Sequence, residues 1–502
     1  MKNNLDEYIK KVETQLTSTS SIKPSMLEVG RVEEIRDGVV IASGLNNASY
    51  GEVVEFASGV KGYIIDLTED RVGIIVLGDY LTIAANDQIK AVGYTLSVPV
   101  SDDLLGRVVD PLCNPQDGLA PIKSDQNFPV EKIAPTVVYR KSVSVPLLTG
   151  IKAIDALIPI GRGQRELIIG DRGTGKTTIA LDTILSQKGE NVICIYAGVG
   201  QKNSKMALVI DLLRKHKALD YSVVVNASAS DSVSMQYIAP YSACAIGEYF
   251  MSQGKDVLVI YDDLSKHAWA YRQISLILRR PAGREAYPGD IFYLHSRLLE
   301  RACRIDDKYG GGSITALPIV ETLEGDMSAY IPTNIISITD GQIFLETDLF
   351  NAGIRPAINV GISVSRVGGN AQAKAMKQVA GKLKLDLAQY REMAAFSQFE
   401  SDLDEETKKL LNRGAKVTQV LKQDKNNPYT FEEEIVILWA AYHGLLDTIP
   451  ATEVEVFEKK LLETVHLRGK EILESIRKEK NISAETEKKL EALTGDFVLI
   501  NK

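Results

Sequence analysis

The pattern of hydrophobic and polar positions changes along the chain and divides it into an arm and three regions. In the arm, residues 1–24, apolar side chains recur at helical spacing: Leu5, Tyr8, Ile9, Val12 and Leu16. This spacing predicts one amphipathic helix. Because a detached helix of this length is marginally stable in water, we interpret it as a docking arm for a partner protein, with a frayed terminus as the alternative.

Residues 25–93 carry short apolar runs that are separated by glycine or acidic turns. The runs are GRVEEI, GVVIASG, GEVVEFA, KGYIIDL and RVGIIVLG. Five or six strands at this close spacing predict a small closed β-barrel. The region has no aromatic platform or basic stripe of the kind that binds single-stranded nucleic acid.

The middle region, residues 94–370, alternates continuous apolar runs with helical segments. The apolar runs ELIIG, NVICIYAG, YSVVVNAS and DVLVIYDD predict strands, and KTTIALDTILSQ and QYIAPYSACAIGEYFMS predict helices. Such strands form mostly parallel sheets whose two faces are covered. In residues 371–502 helical periodicity replaces the strands and predicts a bundle. We therefore expect an α/β fold with an N-terminal barrel, a central domain and a C-terminal helical domain.

Composition and charge exclude some functions. The 58 Lys and Arg against 66 Asp and Glu give a net charge of −8, which disfavours a nucleic-acid partner. The cysteines are widely separated and indicate buried, reduced thiols in a cytoplasmic compartment: Cys113, Cys194, Cys244 and Cys303. Because no apolar run reaches the ~18 residues that span a bilayer, any membrane role should run through partner proteins.

A glycine-rich stretch supplies the first candidate chemistry. GDRGTGKTT fits the pattern GxxxxGK[ST] and lies between an apolar strand and a helix. In such a P-loop the backbone N–H groups surround phosphate oxygens, Lys176 reaches the terminal phosphates and Thr177 ligates Mg²⁺. The predicted nucleotide-binding residues are Gly170, Asp171, Arg172, Gly173, Thr174, Gly175, Lys176, Thr177 and Thr178.

Two further positions should complete the phosphate site. Asp262 ends an apolar strand, where an acid can hold Mg²⁺ through water, and we interpret Asp263 as a helix cap. Gln201 ends the stretch CIYAGVGQ, where hydrolysis would favour a carboxylate. A neutral amide can orient water but cannot take its proton, so we expect slow or absent turnover. The alternative is that Gln201 merely follows a turn.

Together these motifs resemble the alpha subunits of F-type ATP synthases. The shared stretches are the P-loop, YAGVGQK, VIYDDLSKHAWAYRQ, RRPAGREAYPGDIFYLHSRLLER and PAINVGISVSRVGG, and the resemblance runs from near residue 25 to the C-terminus. It implies a regulatory, non-catalytic subunit that holds ATP or ADP with Mg²⁺. It implies as partners beta subunits in an alternating alpha3-beta3 ring, a gamma shaft and a delta-type stalk subunit at the N-terminal helix. The complex would be peripheral, on the cytoplasmic face of the bacterial membrane.

The resemblance also implies residues that act on a neighbouring subunit. Arg366 matches the arginine that enters the adjacent beta site, and Ser337 and Ser363 match positions that support this interface. The alternatives are an ordinary surface arginine and simple strand packing. If INVGISVS is one strand, its apolar face comprises Ile358, Val360, Ile362 and Val364, with Arg366 just beyond it.

A base pocket is the last implication of the resemblance. Its residues would be Phe350, Arg355, Pro356 and Gln423. The chain departs from the family twice, because Gly173 and Lys425 stand where glutamines are usual. Both departures weaken the expectation of tight, adenine-selective binding.

Two other functions remain possible from the sequence. A self-sufficient hexameric ATPase of a secretion or export motor would use an activating glutamate, so Gln201 counts against it. An RNA-translocating hexamer is disfavoured by the acidic balance and the missing aromatic platform. For an alpha-type subunit, we expect the isolated chain to have little or no ATPase activity.

Overall fold

The computed structural model describes residues 28–381, 383–397, 405–447 and 449–500. The chain folds into two compact units. Of the described residues, 28–96 form the first unit with Ser232–Ser234 and Ile274–Arg280, and the others form the second. The helix predicted near the N-terminus lies outside the described residues.

The first unit contains a closed six-stranded antiparallel barrel. Its strands are β1 (Val29–Arg36), β2 (Val39–Ser43), β3 (Glu52–Phe56), β4 (Lys61–Leu67), β5 (Val72–Val76) and β6 (Gln88–Thr95). They pair in the order β1-β2-β5-β4-β3-β6, so the sheet has no free edge. The inward side chains of the apolar runs fill the interior, among them Val32, Val54, Ile64 and Ile74. The predicted barrel is therefore confirmed.

The second unit is built on an eight-stranded sheet. The described part of this unit has twelve strands, eight of which form that sheet. The twelve are β7 (Ser97–Val100), β8 (Val108–Val109), β9 (Gln126–Pro129), β10 (Pro146–Leu147), β11 (Ile160–Gly161), β12 (Leu167–Asp171), β13 (Val192–Gln201), β14 (Ser222–Ser228), β15 (Asp256–Asp262), β16 (Ser313–Thr322), β17 (Gly341–Leu345) and β18 (Val364–Ser365). The large sheet has the order β18-β17-β12-β16-β15-β13-β14-β8. Its pairs are parallel except β17–β18, which confirms the predicted mostly parallel sheet.

Helices alternate with the strands of this sheet. They are α1 (Lys152–Leu157), α2 (Lys176–Ser186), α3 (Asn203–Lys215), α4 (Val233–Ser252), α5 (Leu264–Ile277), α6 (Ile291–Leu299), α7 (Tyr330–Ile338) and α8 (Thr347–Asn351). The central strands β13, β14 and β15 are buried along almost their whole length, because helices cover them.

The C-terminal part of the chain is helical, as predicted. The helices are α9 (Gly368–Ala371), α10 (Lys374–Ala380), α11 (Leu383–Ser397), α12 (Glu405–Val420), α13 (Phe431–Tyr442), α14 (Val454–Arg468), α15 (Lys470–Glu479) and α16 (Ala484–Ile500). One hydrophobic core contains side chains of the parallel sheet and of these helices, for example Ile168 and Ile435. A buried ion pair of 2.7 Å joins Lys152 of α1 to Glu458 of α14. No helix in the described part of the chain is long and apolar enough to cross a membrane.

The stretch INVGISVS, considered above as one possible strand, is not a continuous strand. Ile358 makes only an isolated bridge to Leu345, and the chain then turns, because the Asn359 side chain accepts a hydrogen bond from the Gly361 amide at 3.0 Å. This turn leaves β18 as the only regular part. Ile362 and Val364 are accordingly 39% and 41% exposed and do not form a buried face.

Candidate functional site

The carboxyl ends of four adjacent strands meet at one edge of the large sheet. Asp171, Gln201, Asp262 and Thr322 end β12, β13, β15 and β16 respectively. Ligands of open α/β sheets bind at this edge, because loops and helix N-termini converge there. The P-loop follows β12 and leads directly into α2.

The Lys176 side chain binds back to the start of the P-loop. Its buried ammonium donates to the carbonyls of Gly170 and Asp171, both at 2.7 Å. Burial lowers the pKa of Lys176, while nearby carboxylates, of which Glu321 contributes most, oppose this effect. The position suits an ammonium that would turn from these carbonyls towards phosphate oxygens.

Asp171 fixes the start of the same loop. Its carboxylate accepts hydrogen bonds from Thr322 Oγ1 at 2.7 Å, the Gly325 amide at 2.8 Å and Thr347 Oγ1 at 2.9 Å. Burial by itself would raise the pKa of Asp171, but these hydrogen bonds outweigh it and the pKa is lowered. Asp171 is therefore already occupied by its own chain, whereas Arg172 is exposed.

Asp262 is the centre of a buried polar cluster. Only 2% of the residue is exposed, and its carboxylate accepts from Thr177 Oγ1 at 2.9 Å, from the Tyr196 hydroxyl at 2.5 Å and from Gln201 Nε2 at 2.8 Å. Asp263 has a different role: it accepts from the Lys266 amide at 2.8 Å, which makes it the predicted cap of α5. Burial raises the pKa of Asp263 to about 6.

A β-bulge aims Gln201 at this cluster. The pairing of β13 with β14 shifts between Val199 and Gln201, so that Gly200 is the extra residue, and its φ is 60°. Glycine adopts this left-handed conformation readily, and a Cβ at Gly200 would lie 2.9 Å from Gln236 Oε1. The bulge re-aims the next side chain, and Gln201 is left 3% exposed.

Both ends of the Gln201 amide are engaged within the chain. Nε2 donates to the Asp262 carbonyl at 3.0 Å as well as to its carboxylate, and Oε1 accepts from Lys205 Nζ at 3.1 Å. A side chain held in this way orders the cluster. Both of its amide donors bind the chain itself, and its oxygen already accepts from a lysine ammonium.

Lys205 is a member of the cluster that the sequence analysis missed. Its ammonium lies 3.0 Å from Thr177 Oγ1 and 3.0 Å from Asp262 Oδ2, besides its contact with Gln201. The oxygens of Thr177, Asp262 and Gln201 are of the kind that Mg²⁺ takes, but the Lys205 ammonium already bonds to one oxygen of each. The one available signal was its place four residues after Gln201, within the first turn of α3.

A cavity of about 350 Å³ lies beside the P-loop. Gly173, Thr174, Gly175 and Thr178 line it, and so do all four predicted base-pocket residues: Phe350, Arg355, Pro356 and Gln423. The Arg355 guanidinium lies over the Phe350 ring, 4.5 Å from its centroid. The structure thus brings together two sets of residues that are far apart in the sequence.

Gln423 binds backbone atoms at the rim of this cavity. Its Nε2 donates to the carbonyls of Gly150 at 2.7 Å and Asn427 at 3.1 Å, and its Oε1 accepts from the Lys152 amide at 3.1 Å. Its amide therefore fixes the rim of the pocket. Lys425 lines the same cavity.

At Gly173, where the family usually has glutamine, there is space for a side chain, but the backbone conformation is unusual. No atom lies within 4 Å of a Cβ built there, yet its φ is 86°. A glutamine at this position would be strained in the present loop conformation.

Asp182 is a buried acid of the cavity that the sequence analysis also missed. It lines the pocket and accepts from the Asn426 amide at 2.8 Å. Burial raises its pKa to about 7. Nothing in its helical sequence context, LDTIL, distinguishes it from a surface acid.

Arg366 lies at the end of α7, beside Ser337. Its exposed side chain donates to the carbonyl of Thr339 and, at 3.4 Å, to that of Ile336. Ser337 belongs to the helix, which rules out strand packing, the alternative considered for it, and its hydroxyl donates to the Thr333 carbonyl at 2.8 Å. Carbonyls at a helix C-terminus attract cations, and this explains the orientation of the guanidinium.

Ser363 is buried and bound within its own chain. Its hydroxyl donates to the Asn359 carbonyl at 2.6 Å and accepts from the Phe344 amide at 2.9 Å. It holds the turn before β18 against β17, and so it bears on Arg366 only through the backbone.

The chain matches models of the ATP synthase alpha/beta family along most of its length. The β-barrel domain matches residues 26–93, the nucleotide-binding domain 150–365 and the C-terminal domain 372–497. It is 58% identical over 474 residues to ATP synthase subunit alpha of Dehalococcoides mccartyi strain CBDB1, which covers 94% of each chain. It is 56% identical over 502 residues to ATP synthase subunit alpha of Petrotoga mobilis, which covers 99% of each.

Proposed function

Because the chain belongs to the ATP synthase alpha/beta family, we propose that it binds ATP or ADP without hydrolysing it and acts on a neighbouring catalytic subunit. Its relatives are named ATP synthase subunit alpha. The chain is thus an alpha subunit of an ATP synthase, an enzyme that makes or hydrolyses ATP.

The observation that carries the non-catalytic role is the state of Gln201. Hydrolysis needs a group that orients or deprotonates the attacking water. The Gln201 amide has no basic atom to accept that proton, and its two ends bind Asp262 and Lys205. This arrangement supports retention of the nucleotide.

The test measures binding and turnover on the same preparation of the full chain. We expect ATP to bind, by isothermal titration calorimetry, while phosphate release stays below about 1% of the ~10 s⁻¹ typical of enzymes. Lys176→Ala should lose binding, because it removes the only P-loop ammonium, and serves as the non-binding control. Sustained turnover by the wild-type chain would overturn the non-catalytic role, and absence of binding would overturn the nucleotide site.

The nucleotide would extend from the P-loop into the adjoining cavity. Phe350, Arg355, Pro356 and Gln423 are the residues that we propose for the base, since all of them line that cavity. Thr177 would hold Mg²⁺ directly and Asp262 through water. When bound, the metal neutralises charge on the β- and γ-phosphate oxygens.

Arg366 is our candidate for action on the neighbouring beta subunit. An arginine supplied from outside a phosphate site stabilises the charge of the transition state. The Arg366 side chain is exposed, and the end of α7 orients it through carbonyl acceptors. Ser337 and Ser363 would support the same region of the interface.

The partners follow from the same proposal. We infer a ring of alternating alpha and beta subunits around a gamma shaft, with a delta-type stalk subunit at the N-terminal arm. The complex would lie on the cytoplasmic face of the cell membrane and couple ion flow to ATP synthesis or hydrolysis. This chain would reach the membrane only through partner subunits.

One observation favours the alternative, a self-sufficient hexameric ATPase. Glu321 follows the apolar part of β16 and is close enough to Lys176 to influence its pKa. A carboxylate there could polarise a water without Gln201. If the isolated chain does hydrolyse ATP, Glu321→Gln is the variant that should abolish the reaction.

A further inference from the structure

We propose that Lys205 supplies an internal cation at the magnesium position, so that this chain binds nucleotides with little dependence on Mg²⁺. The inference rests on the proposed nucleotide site. It concerns a residue that neither the P-loop pattern nor the family resemblance singled out.

The inference is based on the three contacts of the Lys205 ammonium group. Lys205 Nζ lies 3.0 Å from Thr177 Oγ1, 3.0 Å from Asp262 Oδ2 and 3.1 Å from Gln201 Oε1. A lysine ammonium has three donors, and these three oxygens use all of them. The side chain is 38% exposed, so part of it remains in contact with water while its ammonium makes these contacts.

These oxygens are also the ones that a magnesium ion would need. Mg²⁺ takes oxygen ligands at about 2.0–2.1 Å and keeps part of its water shell. A metal on the Thr177 hydroxyl, with its water on Asp262, would therefore meet the ammonium of Lys205. The metal ion and the Lys205 ammonium, both positive and bound to neighbouring oxygens, would repel each other. They would also compete for the carboxylate of Asp262.

Lys205 can supply part of the positive charge that a metal ion would bring to this site. The ammonium neutralises Asp262 next to the P-loop, so phosphate oxygens approaching Thr177 would not face a bare carboxylate. Together with Lys176, it places a second lysine charge beside the site. Removal of Lys205 should expose Asp262 and make the metal necessary for tight nucleotide binding.

The experiment compares the full wild-type chain with Lys205→Met, which keeps the length of the side chain and removes the charge. ATP affinity is measured by calorimetry with Mg²⁺ and with EDTA. We expect the two wild-type dissociation constants to agree within about threefold, whereas Mg²⁺ should tighten binding by Lys205→Met more than about tenfold. Lys202→Met, an equal loss of charge at an exposed lysine, is the matched control and should behave as the wild type.

A second measurement uses Mn²⁺ as a paramagnetic probe of the same position. With ADP present, we expect bound Mn²⁺, detected by electron paramagnetic resonance, at lower metal concentration in Lys205→Met than in the wild type. A wild-type chain that needs Mg²⁺ as strongly as Lys205→Met would overturn the inference, and so would equal Mn²⁺ affinity. If the wild type bound ATP under neither condition, the proposed nucleotide site itself would be wrong. The wild-type comparison remains decisive if the variant fails to fold.

Discussion

At the residue scale, single side chains of the nucleotide site have strongly perturbed surroundings. Lys176 is buried beneath its own loop, Asp262 is buried and accepts from four side-chain donors, and Asp182 is buried at the wall of the cavity. Burial raises the pKa of Asp182 to about 7. Its protonation can therefore be followed near neutral pH.

Asp182 should make the stability of the chain depend on pH. Since its folded pKa of about 7 exceeds an unfolded value of about 3.9, its contribution is full below pH ~4 and is lost as the pH rises through ~7. Asp182→Asn keeps an acceptor for the Asn426 amide but cannot ionise. The quantity measured by urea denaturation is the free energy of unfolding of the variant minus that of the wild type. We expect this difference to be more favourable to the variant at pH 8 than near pH 4.5, by an amount on the order of 1–3 kcal/mol.

The control for this prediction is the same substitution at Asp211, an exposed residue of α3. A gain at Asp182 that is the same at both pH values would show that the effect is not linked to ionisation. A loss of stability at pH 8 would contradict the prediction outright.

The sequence identified most of the site at this scale, but not all of it. Thr177, Lys176 and Asp262 could be predicted because each has a fixed place in a local strand–loop–helix pattern. Lys205 and Tyr196 could not, since their contacts with Asp262 depend on the bulge at Gly200 and on which face of β13 is turned inward. Such positions are set by tertiary packing.

At the scale of elements, the loop around β18 decides where Arg366 lies. Ser365 donates to the Pro159 carbonyl at 2.6 Å, and the Arg366 amide donates to the Asp340 carbonyl at 2.9 Å. α9 begins at Gly368, directly against Pro159. The position of Arg366 therefore depends on close backbone packing just after it.

Gly368 should be intolerant of any side chain. A Cβ there would lie 1.6 Å from the Pro159 carbonyl oxygen, so Gly368→Ala must displace the backbone. We expect a loss of about 1–3 kcal/mol in the free energy of unfolding, measured by urea denaturation. Gly369→Ala is the control, because nothing lies within 4 Å of a Cβ at that position. Equal effects of the two substitutions would contradict the packing argument.

The strands that the sequence predicted were those with uninterrupted apolar runs. β12, β13, β14 and β15 read as buried strands because both of their faces are covered. The run from Ile358 to Val364 looked similar, yet the side chain of Asn359 caps a turn within it. Apolar composition alone could not reveal that turn, since it depends on one hydrogen bond.

At the scale of the whole molecule, the order of barrel, parallel sheet and helical region agrees with the sequence pattern and with the family match. That order was predictable because the periodicity of apolar positions changes from one region to the next. The assembly that completes the proposed function could be inferred only from the resemblance. It depends on surfaces of other subunits that leave no periodic signal in this chain.

The central claim, that this chain holds a nucleotide and lends a cation to the next subunit, is tested most directly by ATP turnover of the reconstituted complex carrying Arg366→Ala. We expect turnover to fall by about 10³-fold, the scale of an arginine finger, while the isolated variant binds ATP as the wild type does. Arg214→Ala, at an exposed arginine of α3, should leave turnover unchanged. Wild-type turnover in the Arg366→Ala complex would contradict the claim.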